Sequence, residues 1–158
     1  MRIAHIIDQL NVGGAEVLAV NIVNSLSKFN DYNVSLFVTR KEGPLHKDIN
    51  PKVDYNYLNK KSFFDIGFYV RLYNLIKKKD IQIIHAHNTS YLSCVLVNFL
   101  FFNRKKLIWH NHTGAYISLS GNKLKILKFC SNFFNTIINV NEGLNDWSKK
   151  KLRTKKNI

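Results

Sequence analysis

The chain has 158 residues, the size of one ordinary domain with a real core. Hydrophobic residues make up 46% and aromatics 13%, which excludes intrinsic disorder. Lys and Arg number 24 against 10 Asp and Glu, a formal net charge of +14 that favours anionic partners: a phosphorylated substrate, nucleic acid or a membrane surface. A second explanation for that charge is basic side chains decorating solvated faces.

Strand-length segments are predicted at 2–8, 33–39, 53–58, 81–86, 106–110 and 136–140, and helices at 14–29, 65–79, 89–102 and 122–134, with another starting near 142. The third strand alternates apolar and polar residues (Val53 to Leu58) and suits a sheet edge. Asp65 and Ser120 stand where helix caps belong. Strands alternating with helices imply a Rossmann-like, doubly wound α/β fold, its mostly parallel sheet covered by helices on both faces. The longest apolar run, Tyr91 to Phe102, is broken by Ser93 and Asn98 and is shorter than the roughly 20 residues that span a bilayer. Met1-Arg2 leads straight into a strand, with no secretory signal pattern, and Cys94 and Cys130 lack a CxxC partner. Both observations suit a reducing, cytoplasmic setting.

Gly13-Gly14-Ala15-Glu16 joins the first strand to an amphipathic helix. Two glycines there can form a backbone nest, and the free N–H groups of a helix start attract phosphate; the alternative is a simple tight turn. The G-x-G-x-x-G of dinucleotide sites is absent, and the second strand ends in Arg40-Lys41 rather than a ribose-binding acid, so NAD does not fit. A Walker loop fails for want of G-K-[ST]. No zinc-finger, RNP or basic-zipper pattern is present, which argues against nucleic acid.

His85 and His87 end the fourth strand, and His110 and His112 end the fifth. His5 lies inside the first strand, facing either the same side or the core. Ligands bind at the carboxyl ends of strands in parallel sheets, so the two His-x-His pairs are expected to converge near the glycine loop. Three uses compete: a metal site, buried structural imidazoles, or contacts to substrate hydroxyls and phosphates, where imidazole works without carrying charge.

Four segments taken in order, "MRIAHIIDQLNVGGAE", "IQIIHAHN", "LIWHNHTG" and "TIINVNEGL", resemble the N-terminal half of a family 4 retaining glycosyltransferase of the two-Rossmann (GT-B) type. The resemblance spans essentially the whole chain. It implies an acceptor-side domain over 1–148 and the basic start of an interdomain linker at 149–158, with the C-terminal donor-binding domain and its E-x7-E pair absent. It further implies that a sugar moves from a nucleotide-sugar donor to a hydroxyl acceptor in cell-surface polysaccharide or glycolipid assembly, and that the isolated domain is inactive. The donor serves as substrate, and neither cofactor nor metal is required.

By the same resemblance, Gly13, Gly14 and Glu16 lie against the donor diphosphate. His110 or His112 stands at the reacting centre, with a preference for His110. His85, His87, Asn88, Asn111, Thr113 and Glu142 shape the acceptor site. Asn141-Glu142 replaces the family's Ser-Glu. Trp109 and Tyr116 either stack on a sugar or belong to the core. The acceptor is expected on a lipid carrier or growing polysaccharide, and the protein at the inner face of the cell membrane. The rival reading is a non-catalytic α/β module that binds a phosphorylated metabolite or an anionic membrane surface.

Overall fold

The computed structural model describes residues 1–100, 105–154 and 156–158. Its elements in chain order are β1 (Arg2–Gln9), α1 (Gly14–Leu26), β2 (Asn33–Lys41), β3 (Asp54–Tyr57), α2 (Ile66–Lys78), β4 (Ile83–His87), α3 (Tyr91–Leu100), β5 (Lys106–Asn111), α4 (Gly121–Cys130), β6 (Thr136–Asn139) and α5 (Glu142–Lys151). The six strands form one sheet ordered β3-β2-β1-β4-β5-β6, and every neighbouring pair is parallel. This is the Rossmann-like sheet expected from the sequence, and β3 is at an edge. The order reverses between β1 and β4, which are built next to one another although a β2–β3 excursion separates them in the chain.

The two faces of the sheet are covered unequally. Ala4, Ile6, Ile84, Ala86, Leu107, Trp109 and Ile137 point to one face, where α2, α3, α4 and α5 supply Phe68, Leu72, Cys94, Leu127, Leu144 and Trp147. On the other face α1 lays Ala19, Val20 and Val23 against Ile7, Val34, Leu36 and Val38. Beyond β1, Ile83, Ile108 and Ile138 on that second face stay half-buried. Trp109 and Tyr116 are core residues, edge to face with ring centroids 5.1 Å apart. Cys94 and Cys130 are buried free thiols.

Helix ends differ from the periodicity for a local reason. α1 stops at Leu26 rather than 29, where the Ser27 hydroxyl donates to the Asn24 carbonyl at 2.9 Å. α4 stops at Cys130 rather than 134, where Ser131 donates to Lys128 O at 2.7 Å, and a 3-10 turn follows over Ser131–Phe133. A serine bonding back three residues offers the backbone an alternative to the helical ladder. Asp65 caps α2 by accepting from Phe68 N at 2.8 Å, whereas Ser120 precedes α4 without a side-chain cap. Asn141 caps α5 by accepting from Leu144 N at 2.9 Å. The predicted helix over 89–102 opens with a 3-10 turn at Asn88–Ser90 before α3, and its last residues lie outside the described ones.

The basic end, expected as the start of a linker, is tied to the domain. Residues 149–151 complete α5, Arg153 N donates to Ser131 Oγ, and Asn139 N donates to Ile158 O at 2.8 Å. Asn157 pairs with Ile137 in a parallel bridge along the outer edge of β6.

One glycine is required by close approach, and it is not in the glycine loop. A Cβ on Gly43 would lie 2.2 Å from Leu10 O and 2.6 Å from Asn11 N, so the β2 exit packs directly on the turn after β1. A Cβ on Gly14 meets nothing. Gly43→Ala is therefore expected to cost about 1–3 kcal/mol through overpacking. Gly14→Ala is neutral or stabilises by up to about 1 kcal/mol. Urea unfolding of the two variants checks the contrast.

Candidate functional site

Parallel pairing sets His5 beside His85 and His87 beside His110. The period of two along each strand adds His87 next to His85 and His112 next to His110 on the same face. Five imidazoles therefore stand together on the α1 side of the sheet. Ring centroids are 4.6 Å apart for His5–His85 and for His85–His87, and 4.0 Å for His110–His112. His5 Nδ1 faces His87 Nε2 at 3.1 Å, His87 Nδ1 faces His112 Nε2 at 2.9 Å, and His85 Nε2 faces His110 Nδ1 at 3.2 Å. A neutral imidazole has one N–H, so His87 donates through one nitrogen and accepts through the other. His5 Nε2 is buried without a hydrogen-bond partner among the described residues.

This packing disfavours protonation. Burial, then the charge of His110, lowers His5 to about 3. Burial lowers His110 to about 4, and burial with the neighbouring His110 lowers His112 to about 4. His85 and His87 are pushed well below the usual range by burial and by the rings beside them. The row is thus a set of neutral imidazoles at pH 7. Each can donate one N–H to a hydroxyl or an anionic oxygen, or offer a lone pair to a metal.

A cleft of about 590 Å³ opens at the carboxyl ends of β1 and β4, at the switch in strand order. Asp8, Gln9, Glu16, Arg40, Asn88, Thr89, Thr113 and Tyr116 line it. Asp8 is its anchor: Thr39 Oγ1 donates to it at 2.6 Å, Thr89 Oγ1 donates to its other oxygen, and Arg40 Nε lies 3.8 Å away. Asn88 turns the chain in the left-handed region (φ 48°) at the end of β4. Its carbonyl accepts from Trp109 Nε1 at 2.9 Å and its Oδ1 from His112 N at 3.3 Å, which joins the cleft wall to the histidine loop. Non-glycine residues in this region are uncommon and concentrate where a site is being shaped.

Of the site candidates singled out from the sequence, Glu16, Asn88 and Thr113 line the cleft, as does Tyr116, offered there as a stacking or core residue. Thr113 also accepts from Ala115 N at 3.3 Å, capping a short turn. Gly13 is the N-cap of α1 in extended conformation (φ −161°), and neither it nor Gly14 takes a positive φ, so the left-handed nest does not form. The N–H groups of the α1 start reach an anion only once Glu16 has moved aside. Glu16 Oε2 lies 2.5 Å from where a Gly13 Cβ would stand, so a carboxylate already covers that end. His85, His87, His110 and His112 lie in the imidazole row rather than in the cleft wall. Asn111 is fully buried on the opposite face, donating to Asn139 Oδ1 at 3.3 Å, and Glu142 is exposed at the start of α5.

Sequence reasoning missed Asp8, Thr89 and Lys60, and met Arg40 only as the basic end of β2 that argues against NAD. Asp8, Thr89 and Arg40 carried no motif for this cleft. Their one available signal was position, at or just past the carboxyl end of a strand. Lys60 is 7% exposed, donates to Ser93 Oγ at 2.8 Å and lies 4.7 Å from the Phe68 ring centre. Burial lowers its pKa, and the ring faces hold what charge it keeps.

The row predicts acid sensitivity. The histidines are neutral in the folded metal-free chain and protonate near pH 6.5 once unfolded, so the unfolded state binds more protons below that pH. Stability is complete above about pH 6.5 and falls as pH drops below it, because the buried, mutually repelling imidazoles of His5, His85 and His87 take up protons only on unfolding. Urea midpoints measured from pH 7.5 to 5 are expected to fall steeply, and a flat profile would contradict the neutral row.

Comparison with known proteins agrees with this architecture. The model of Glycosyltransferase Family 4 matches residues 12–157. A capsular polysaccharide biosynthesis glycosyltransferase, CapH of Staphylococcus aureus, is 25% identical over 144 residues, covering 87% of this chain and 39% of CapH. The crystal structure of Anabaena HepE in complex with UDP and glucose superposes with a TM-score of 0.70 at 17% identity, over 98% of this chain and 43% of that one. The chain thus spans about two-fifths of the length of each. No helix among the described residues is long and apolar enough to cross a membrane. By the extent of the family match and the strand order that accompanies it, the chain belongs to glycosyltransferase family 4.

Proposed function

We propose that this chain is the acceptor-side half of a retaining glycosyltransferase, one that moves a sugar from a nucleotide-sugar donor to a hydroxyl acceptor in cell-surface polysaccharide or glycolipid assembly. The observation that carries the acceptor-side assignment is the chemistry of the cleft. Asp8 and Glu16 offer carboxylate oxygens, Asn88 a side-chain amide, and Thr89 and Thr113 hydroxyls, beside one guanidinium among the lining residues, Arg40. Such a wall suits a polyol. Two carboxylates beside one cation suit a diphosphate poorly. The UDP and glucose found with HepE and the capsular role of CapH support a nucleotide-sugar and a polysaccharide, respectively.

In this reading the α1 N-terminus meets the donor diphosphate from one side only. Glu16 must swing off Gly13 for that contact, and among the described residues its carboxylate is held weakly, accepting from Gln9 Nε2 at 3.4 Å. His110 or His112 then presents a neutral N–H to the donor near the reacting carbon, stabilising charge that develops on oxygen without placing a cation beside the oxocarbenium-like centre. His87 faces His112 and fixes its ring. The second domain supplies the remaining contacts, and catalysis rests on positioning and electrostatics. The basic surface favours an encounter with an anionic membrane carrying a lipid-linked acceptor.

The 158-residue chain alone is expected to transfer no sugar from any nucleotide-sugar. The same chain fused to the remaining length of CapH is expected to transfer with retention, read from the anomeric proton coupling of the product. In that fusion His112→Ala lowers kcat roughly 100-fold or more. Turnover by the chain alone, or an inverted product, overturns the proposal.

A further inference from the structure

The imidazole row offers more ligating nitrogens than a sugar contact needs. Ligand atoms of His87, His110 and His112 all lie within 4.8 Å of one another, as do those of His5, His85 and His87. We propose that His87, His110 and His112 form a binding site for a divalent late transition metal of the zinc class, with the fourth coordination position open to water. This does not depend on sugar transfer, and because a bound metal takes the nitrogens of His110 and His112 and brings positive charge, metal binding and the donor contact are alternative uses of the two rings.

Four arguments select this site. Donor chemistry comes first: three neutral nitrogens suit Zn²⁺, Ni²⁺ or Cu²⁺, whereas Mg²⁺ and Ca²⁺ require oxygen ligands. Geometry is the second. Zn–N bonds of about 2.0–2.1 Å at a tetrahedral angle place two ligand nitrogens roughly 3.3 Å apart. His87 Nδ1 and His112 Nε2 are 2.9 Å apart, so metal replaces their hydrogen bond after the rings part by a few tenths of an ångström. His110 closes the set, its ligating nitrogen already within 4.8 Å of those of His87 and His112.

The outer shell is the third. His85 Nε2 engages His110 Nδ1 and His5 Nδ1 engages His87 Nε2, which leaves His110 Nε2 and His87 Nδ1 as the ligating atoms and orients both rings. Asn88 Oδ1 holds the backbone of His112. Access is the fourth. The inner triad is sealed, with His5 and His87 at 0% and His85 at 8% exposure, and a dication enclosed there with no anion is strongly disfavoured by the loss of its hydration. His112 is only half-buried, beside the part of the sheet face that α1 does not cover, so a metal in the outer triad keeps a water-facing position. Bound there it ties β4 to β5.

The test titrates the metal-free 158-residue chain with Zn²⁺ and Co²⁺ at pH 7.5 in about 0.15 M salt, where screening limits repulsion from the net charge. Expected are one saturable equivalent, intense visible bands of tetrahedral Co²⁺, and X-ray absorption at the zinc edge showing three imidazoles at about 2.0–2.1 Å. His112→Gln weakens Zn²⁺ binding at least about 10-fold, while His46→Gln, on an exposed turn outside the row, leaves it unchanged. Unsaturable uptake, a pale octahedral Co²⁺ spectrum, or equal affinity in His112→Gln overturns the site. Should His112→Gln not fold, the ligand count at the zinc edge of the unaltered chain decides, and fewer than three imidazoles overturns it.

Discussion

The parallel register of β1, β4 and β5 is the constraint on which the candidate site rests. It places His5 opposite His85 and His87 opposite His110, and the two-residue period of a strand does the rest. A slip of one residue in any of these pairings sends that strand's imidazoles to the opposite face. There they would displace Trp109, Ala86 or Ile6 from the apolar layer under α2 to α4. Core packing on one face and imidazole stacking on the other therefore enforce the same register.

That arrangement has an electrostatic consequence. Five rings within about 4–5.5 Å of their neighbours cannot share more than a little positive charge, and burial removes the water that would screen it. Neutrality at pH 7 is thus built into the fold, in a chain whose net charge is otherwise strongly positive. The neutral state makes the rings useful as hydrogen-bond donors and as nitrogen ligands for metals of the zinc class. The same two imidazoles, His110 and His112, can serve either use, and their position two residues apart at the end of β5 is what makes them available for both.

The cleft next to the row depends on a different kind of contact. Asp8 at the end of β1 gathers Thr39 from β2, Thr89 from the turn after β4 and Arg40, across the point where the strand order reverses. Asn88 in left-handed conformation turns its carbonyl to Trp109 and its side chain to the His112 backbone. Gly43 brings the β2 exit against Leu10. These few contacts hold three loops from distant parts of the sequence around one opening.

The sequence by itself determined the six strands, the five helices, the α/β class, the edge position of the third strand and the clustering of histidines at two strand ends. Each is a local property: apolar period, a capping Asp65, a His-x-His spacing that survives in any extended segment. The family resemblance was legible for the same reason, as an ordered set of short motifs, and the match over residues 12–157 agrees with it. Only the tertiary structure decided which strands are neighbours, that all five histidines share one face, and that Asn111 is sealed on the other. It also closed the glycine nest, since Gly13 takes an extended conformation under the Glu16 carboxylate, and it moved the indispensable glycine to position 43. Asp8, Arg40 and Thr89 acquire meaning only when β1, β2 and β4 are side by side, because a cross-strand contact has no periodicity along the chain by which it could be read.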